Sequence, residues 1–139
     1  MSESAELVRW VEFNPLGDER GELVAIEGGE TIPFNIQRVY YLFGFKKSVS
    51  RGYHAHRALQ QTAVCVSGSC KMRLDNGQEQ AELILDSPHR GLLIGSMVWR
   101  EMHEFSSDCV LLVLADQHHD ESDYIRSYDE FLEVLNAEE

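Results

Sequence analysis

Two histidines, His54 and His56, stand one residue apart in the stretch RGYHAHRALQQTAVCVSG, which runs from Arg51 to Gly68. On an extended strand, residues two apart point to the same face, separated by roughly 6.5 Å of rise. Both imidazoles therefore face one way, with only Ala55 between them on the other side. Such a pair suits two chemistries: neighbouring metal ligands, or a base and its proton partner near neutral pH.

The residues that follow decide between these. His-x-His, an acid or amide at position 61 and then Gly68 form a frame that resembles the first signature of the cupins. Metal-binding cupins carry a glutamate where this chain has Gln61, with Gln60 beside it. A neutral amide is a poor substitute for a carboxylate on a divalent cation, so the frame favours acid/base work with no metal. A second constellation, MVWREMHEF from Met97 to Phe105, follows Gly91 and Gly95 much as a second cupin motif does. His103 stands there as the counterpart of a third metal-cupin histidine, although the proline-glycine spacing of that motif is not kept. By strand alternation Trp99, Glu101 and His103 share one face and Arg100, Met102 and Glu104 the other. Either set can look inward, because a bulge beside a site shifts the register. Trp99 is expected as core or pocket wall, its indole able to stack on a sugar or base. His118 and His119, in QHHDESD, are adjacent and so diverge on an extended chain; that run is expected to be a polar loop.

The elements that must hold these residues are short strands. From residue 52 onward, apolar runs recur about every ten residues: Thr62 to Val66, Cys70 to Leu74, Ala81 to Leu85, Gly91 to Ile94, Met97 to His103 and Cys109 to Ala115. Asp75-Asn76-Gly77 between two of them is a tight-hairpin signal, since Asn and Gly tolerate positive φ. Earlier strands are expected at LVAIE, after the turn-prone Gly17 to Gly21, and at IQRVYYLFGF, Ile36 to Phe45. In the latter, Tyr40 faces with Arg38 and Leu42, and Tyr41 with Val39 and Phe43; one tyrosine is expected in the core and the other on a pocket wall. Many short strands without intervening helices predict an all-β sandwich or barrel. Only the end is helical: Ser127 with Glu130 fits a capping box, and Phe131, Leu132 and Leu135 give one apolar stripe. Its carboxylates Glu130, Glu133, Glu138 and Glu139 are expected as a solvated face.

At 139 residues the chain fits one domain, 1–139, with a core that needs neither disulfide nor metal. Cys65, Cys70 and Cys109 are odd in number, lack CxxC spacing and lie in or beside apolar runs, as buried reduced thiols do. Twelve basic against twenty-four acidic residues give a net charge of −12, which argues against nucleic acid and anionic membranes as partners. No apolar run approaches the roughly 20 residues that cross a bilayer. The opening MSESAELVRW is acidic where a signal peptide is basic, and a cytoplasmic protein is expected.

The stretches RVYYLF, RGYHAHRALQQ, VSGSCKMRLDNG, LDSPHRGLLIG, WREMHEFSSDCVLLVLA and DYIRSYDEF, in this order, resemble the cupin-type sugar 3,4-ketoisomerases (FdtA/QdtA-like) that act on thymidine-diphosphate (dTDP) 4-keto-6-deoxyglucose. The resemblance covers the chain from Arg20 to about Phe131. It implies an RmlC-like cupin jelly-roll β-barrel with a short C-terminal helix, working as a homodimer without metal or organic cofactor. It implies a role in making 3-amino-3,6-dideoxyhexoses for surface polysaccharide. By analogy His54 and His56 are the acid/base pair, and the hydroxyl of Tyr40 or Tyr41 serves the enediolate oxygen. Arg20, Arg51 and Arg73 are the candidates for the diphosphate, because guanidinium forks match phosphate oxygens. Gln61, Trp99, Arg100 and His103 complete the expected substrate-binding set. Arg100 stands where other family members have a histidine, which points to a gluco-configured product. The alternatives are a dTDP-sugar 3,5-epimerase on the same fold and a non-catalytic cupin that binds a sugar nucleotide.

Overall fold

The computed structural model describes residues 6–137; the first residues of the acidic opening and the carboxylates Glu138 and Glu139 lie outside the described residues. Two five-stranded antiparallel sheets face each other. The first runs β1 (Arg9–Glu12), β9 (Arg90–Ile94), β6 (Gln61–Ser67), β11 (Val110–Ala115), β4 (Arg38–Leu42). The second runs β12 (Tyr124–Ile125), β5 (Arg51–His56), β10 (Trp99–His103), β7 (Cys70–Asp75), β8 (Gln80–Leu85). Successive strands from β4 to β11 pass back and forth between the sheets, except at the β7–β8 hairpin; this is the double Greek key of a cupin jelly roll. A separate hairpin joins β2 (Leu16–Asp18) to β3 (Gly21–Leu23).

The chain adopts strands where β-branched and apolar residues alternate, and the alternation sorts each strand's side chains. Ala63, Cys65, Met72, Leu74, Leu92, Leu111 and Val113 meet between the sheets. The three thiols are free and buried, as their apolar settings predict. Val64 and Leu114 emerge on the opposite face of the first sheet, where Phe13 and Ile32 cover them; the double-sided burial of Val110 to Leu114 has this cause. Ile32 belongs to residues 24–36, a covering segment with only an isolated bridge, and the strand expected over LVAIE is confined to its first residue, Leu23.

One helix follows, α1 (Tyr128–Ala137). Its start is capped as the sequence predicts: the Glu130 amide donates to the Ser127 hydroxyl. Phe131 inserts beneath it against Ala55, Trp99 and Ile125 on the outer face of the second sheet. Asp75 ties the same helix down, accepting a hydrogen bond from the Tyr128 hydroxyl at 2.7 Å.

Candidate active site

Strand β5 carries the histidine pair, and its geometry depends on a bulge. Arg100 pairs with His54 but Glu101 pairs with Gly52, so Tyr53 is the extra residue. Tyr53 takes the left-handed conformation at φ 60° and Gly52 lies at φ 95°. A Cβ on Gly52 would also stand 2.9 Å from the Arg100 carbonyl oxygen, so only glycine fits there. The bulge turns His54 into the interior with its ring 4.9 Å from that of His56, at 88° to it.

His54 lines a cleft of about 450 Å³ together with Arg38, Tyr40, Arg51, Tyr124 and Arg126, over an apolar floor that includes Leu42, Met102 and Val113. Its Nδ1 donates to the Gly52 carbonyl at 3.1 Å, so the lone pair of the neutral ring sits on Nε2. Burial, and after it the Arg100 guanidinium, lower its pKa to about 4. The ring is thus neutral at physiological pH and free to accept a proton. His56 is 1% exposed and is held lower still, again by burial first and Arg100 second. Its Nδ1 lies 3.1 Å from Asp123 Oδ2, while its buried Nε2 has no hydrogen-bond partner among the described residues. Asp123 also accepts the amides of Ala58 at 2.8 Å and Leu59 at 3.3 Å, so it fixes both the imidazole and the loop after β5. A carboxylate on the distal nitrogen sets the tautomer of a proton-carrying histidine.

The low pKa of His54 has a stability consequence with a definite sign. An unfolded histidine takes a proton near pH 6.5, whereas the folded one resists it down to about 4. Stability should be flat above pH 6.5 from this group and fall as pH drops from 6.5 toward 4. Urea unfolding of H54Q beside the parent protein should show a shallower loss across that window; an unchanged slope would refute the assignment.

The other expected site residues divide cleanly. Tyr40, His54, His56, Arg51, Gln61 and Arg100 come together in or beside the cleft. Arg73, Trp99 and His103 do not, because alternation along β7 and β10 turns them to the outer face while Arg100, Met102 and Met72 take the inner one. Trp99 packs under α1 and its indole N–H donates to Glu101. His103 has both ring nitrogens engaged, with Ser50 at 2.9 Å and Glu101 at 3.2 Å. Arg73 donates to Gln80. Arg20 sits on the β2–β3 hairpin, exposed and ion-paired with Asp18, and is not among the residues lining the cleft. Tyr41, expected in a core or pocket, is neither: it is 61% exposed on the outer side of β4.

Sequence reasoning missed Arg38, Asp123, Tyr124 and Arg126. The Tyr124 ring lies 5.1 Å from that of His54 and 4.4 Å from that of His56, and Arg126 stacks on its face at 4.1 Å. Arg38 reaches over the Tyr40 ring with its Nε buried and unpartnered. Arg38, Arg51 and Arg126 bring three guanidinium groups to one cleft, that of Arg126 paired with the Glu121 carboxylate at 2.8 and 3.0 Å. Among the described residues no group of three or more His, Cys, Asp or Glu side chains is arranged to hold a metal ion.

The chain is similar along nearly its whole length to proteins of known activity. The family model described as FdtA: WxcM-like, C-terminal, matches residues 6–136. A TDP-4-oxo-6-deoxy-alpha-D-glucose-3,4-oxoisomerase of Aneurinibacillus thermoaerophilus is 54% identical over 125 residues, 90% of each chain. The crystal structure of QdtA, a sugar 3,4-ketoisomerase from Thermoanaerobacterium thermosaccharolyticum in complex with TDP, superposes with a TM-score of 0.91 at 44% identity, covering 95% of this chain and 96% of that one. The WlaRB TDP-quinovose 3,4-ketoisomerase of Campylobacter jejuni gives 0.88 at 41% identity, over 93% and 99%.

Proposed function

We propose, from the premise that this chain belongs to the FdtA family (WxcM-like, C-terminal), that its cleft converts TDP-4-oxo-6-deoxy-D-glucose into the 3-keto isomer through an enediol. The protein is an intramolecular isomerase, a TDP-sugar 3,4-ketoisomerase. The observation that carries the chemistry is a neutral imidazole, His54, on the wall of a cleft that also presents three arginines.

The reaction moves two protons. The C3 hydrogen, acidified by the C4 ketone, leaves carbon and one is returned at C4; the O3 proton leaves and O4 gains one. His54, with its lone pair on Nε2, takes the C3 hydrogen. His56, aligned by Asp123 and 4.9 Å away ring to ring, carries the second proton. Tyr40 stays protonated, because burial raises its pKa, and its hydroxyl donates to the enediolate oxygen. Arg38, Arg51 and Arg126 hold the diphosphate, and the aromatic face of Tyr124 packs on the sugar. In D₂O the enzyme should form the 3-keto sugar and leave C5 unlabelled. Label at C5 with the ketone still at C4 would make it a 3,5-epimerase; binding without turnover for hours would make it a non-catalytic cupin.

The whole chain, 1–139, acts as one catalytic domain, and the product feeds 3-amino-3,6-dideoxyhexose synthesis for surface polysaccharide. Arg100, a buried cation at the position of a family histidine, directs protonation to the gluco product, read from the C3–C4 proton coupling after reduction. A cytoplasmic location agrees with three free thiols and with the absence, among the described residues, of a helix long and apolar enough to cross a membrane.

The enzyme works as a homodimer. On the outer side of β4 Val39 and Tyr41 are 52% and 61% exposed, and Phe43 beyond it 66%. Tyr41 and Phe43 stack on one another at 5.8 Å, and exposed Val66 lies two strands away in the same sheet. An apolar surface of this kind on a soluble chain marks an interface, and a second copy covers it. Tyr41→Asp should shift sedimentation from dimer to monomer, since a carboxylate cannot be buried there unpaired; a monomeric parent protein would remove the proposal.

A further inference from the structure

Arg100 is 2% exposed between the two sheets, yet no carboxylate lies within ion-pair distance of its guanidinium among the described residues. Its contacts are the Val98 carbonyl, which accepts from Nε and Nη2 at 3.2 Å each, and Gln61 Oε1, which accepts from Nη1. Its pKa falls to about 10 through burial, so it stays charged. A buried cation without a paired anion is costly.

Gln61 links that charge to the cleft. A guanidinium only donates, so the atom of Gln61 facing Arg100 is the oxygen, and the amide nitrogen must face Tyr40. Gln61 Nε2 accordingly donates to the Tyr40 hydroxyl oxygen at 2.9 Å. The phenol oxygen is then occupied as an acceptor from that side, and its own proton points away from Gln61, toward the cleft that Tyr40 lines. The direction of every hydrogen bond in the chain Arg100, Gln61, Tyr40 is fixed by the donor-only end.

From this geometry we infer that Gln61 is a positioning residue: it passes the polarisation of the buried Arg100 cation to Tyr40 and aims the phenol proton at the enediolate oxygen. The inference rests on the ketoisomerase reading and deepens it. It also accounts for an amide where metal-binding cupins carry a carboxylate. A glutamate would neutralise Arg100, accept a hydrogen bond from the Tyr40 hydroxyl and so withdraw the donor from the substrate. Asparagine would be too short to span both partners.

The test is Gln61→Glu beside Tyr40→Phe and the double variant, assayed with chelator present because His54, His56 and a new carboxylate could gather a metal. Removing one oxyanion donor costs about 10² to 10³ in kcat. Each single variant should lose that much in kcat with KM changed less than about fivefold, and the double should be no slower than Y40F alone, since the two act as one unit. Gln61→Glu should at the same time melt higher than the parent, because Arg100 gains its counter-ion; this readout needs no turnover. Normal kcat in Q61E, multiplied losses in the double, or a lowered melting temperature in Q61E would each overturn the relay. An inactive parent enzyme would instead refute the ketoisomerase reading, while the melting shift would still judge the Arg100–Gln61 pair.

Discussion

His54→Asn should lower turnover by about 10² to 10⁴ fold, the usual worth of general acid/base catalysis, while affinity for the nucleotide sugar changes less than tenfold. Asparagine approximates the imidazole in size and retains a donor for the Gly52 carbonyl that fixes the ring, so the cleft wall is kept and the basic Nε2 alone is lost. The cleft arginines proposed to hold the diphosphate are untouched, so binding should survive. His56→Asn should slow net isomerisation on the same scale but leave the C3 hydrogen exchanging with D₂O, because His54 still reaches it. Loss of C3 exchange should thus belong to H54N and persistence of it to H56N. In the parent enzyme kcat/KM should hold steady through pH 6.5 and fall only as pH approaches 4, the value to which burial and Arg100 bring His54. Calorimetric binding with NMR of C3 exchange separates the two roles. If both variants bind and isomerise at the normal rate, the histidine pair is structural.

What was legible in the sequence were features written in near neighbours. Strand alternation put His54 and His56 on one face, and the Asp75-Asn76-Gly77 hairpin, the Ser127 cap and the apolar stripe of α1 are likewise local. The choice between the two faces of β10 was not local. It depends on the β5 bulge at Tyr53 and on the docking of α1 over Trp99, which together send Arg100 inward and Trp99, Glu101 and His103 outward. The arginines divide for the same reason: Arg51 lines the cleft with Arg38 and Arg126, which come from distant parts of the chain, whereas Arg73 follows the outer alternation of β7. Asp123 was invisible because its tie to His56 spans 67 residues, and in sequence it is one acid in a polar run. In sequence Gln61 reads as an amide in place of a metal ligand and as a substrate-binding residue, and only its two partners reveal a directed hydrogen bond.

Phe131→Ala should be the most destabilising single truncation on the site's scaffold. The ring is fully buried and packs 5.9 Å from Trp99 and 5.7 Å from Tyr128, centroid to centroid, so nothing can collapse into its place without moving α1. Truncation of a buried phenylalanine costs about 3–5 kcal/mol, a large share of the roughly 5–15 kcal/mol that holds a domain together. The melting temperature should fall by about 10 to 20 °C. The loss should also reach the cleft. Phe131 clamps Ala55 and Ile125, which pair across β5 and β12, and the neighbours of those residues are His54, His56 and Tyr124. With the clamp loosened, β12 frays from the sheet edge and Asp123, just ahead of it, no longer holds His56. Activity per folded molecule should therefore decline well below the melting transition, with C3 exchange surviving better than net isomerisation. Phe131→Leu refills most of the space and should retain most of both. Full specific activity in F131A at low temperature, despite the lowered melting point, would mean that α1 stabilises the fold without positioning the histidine pair.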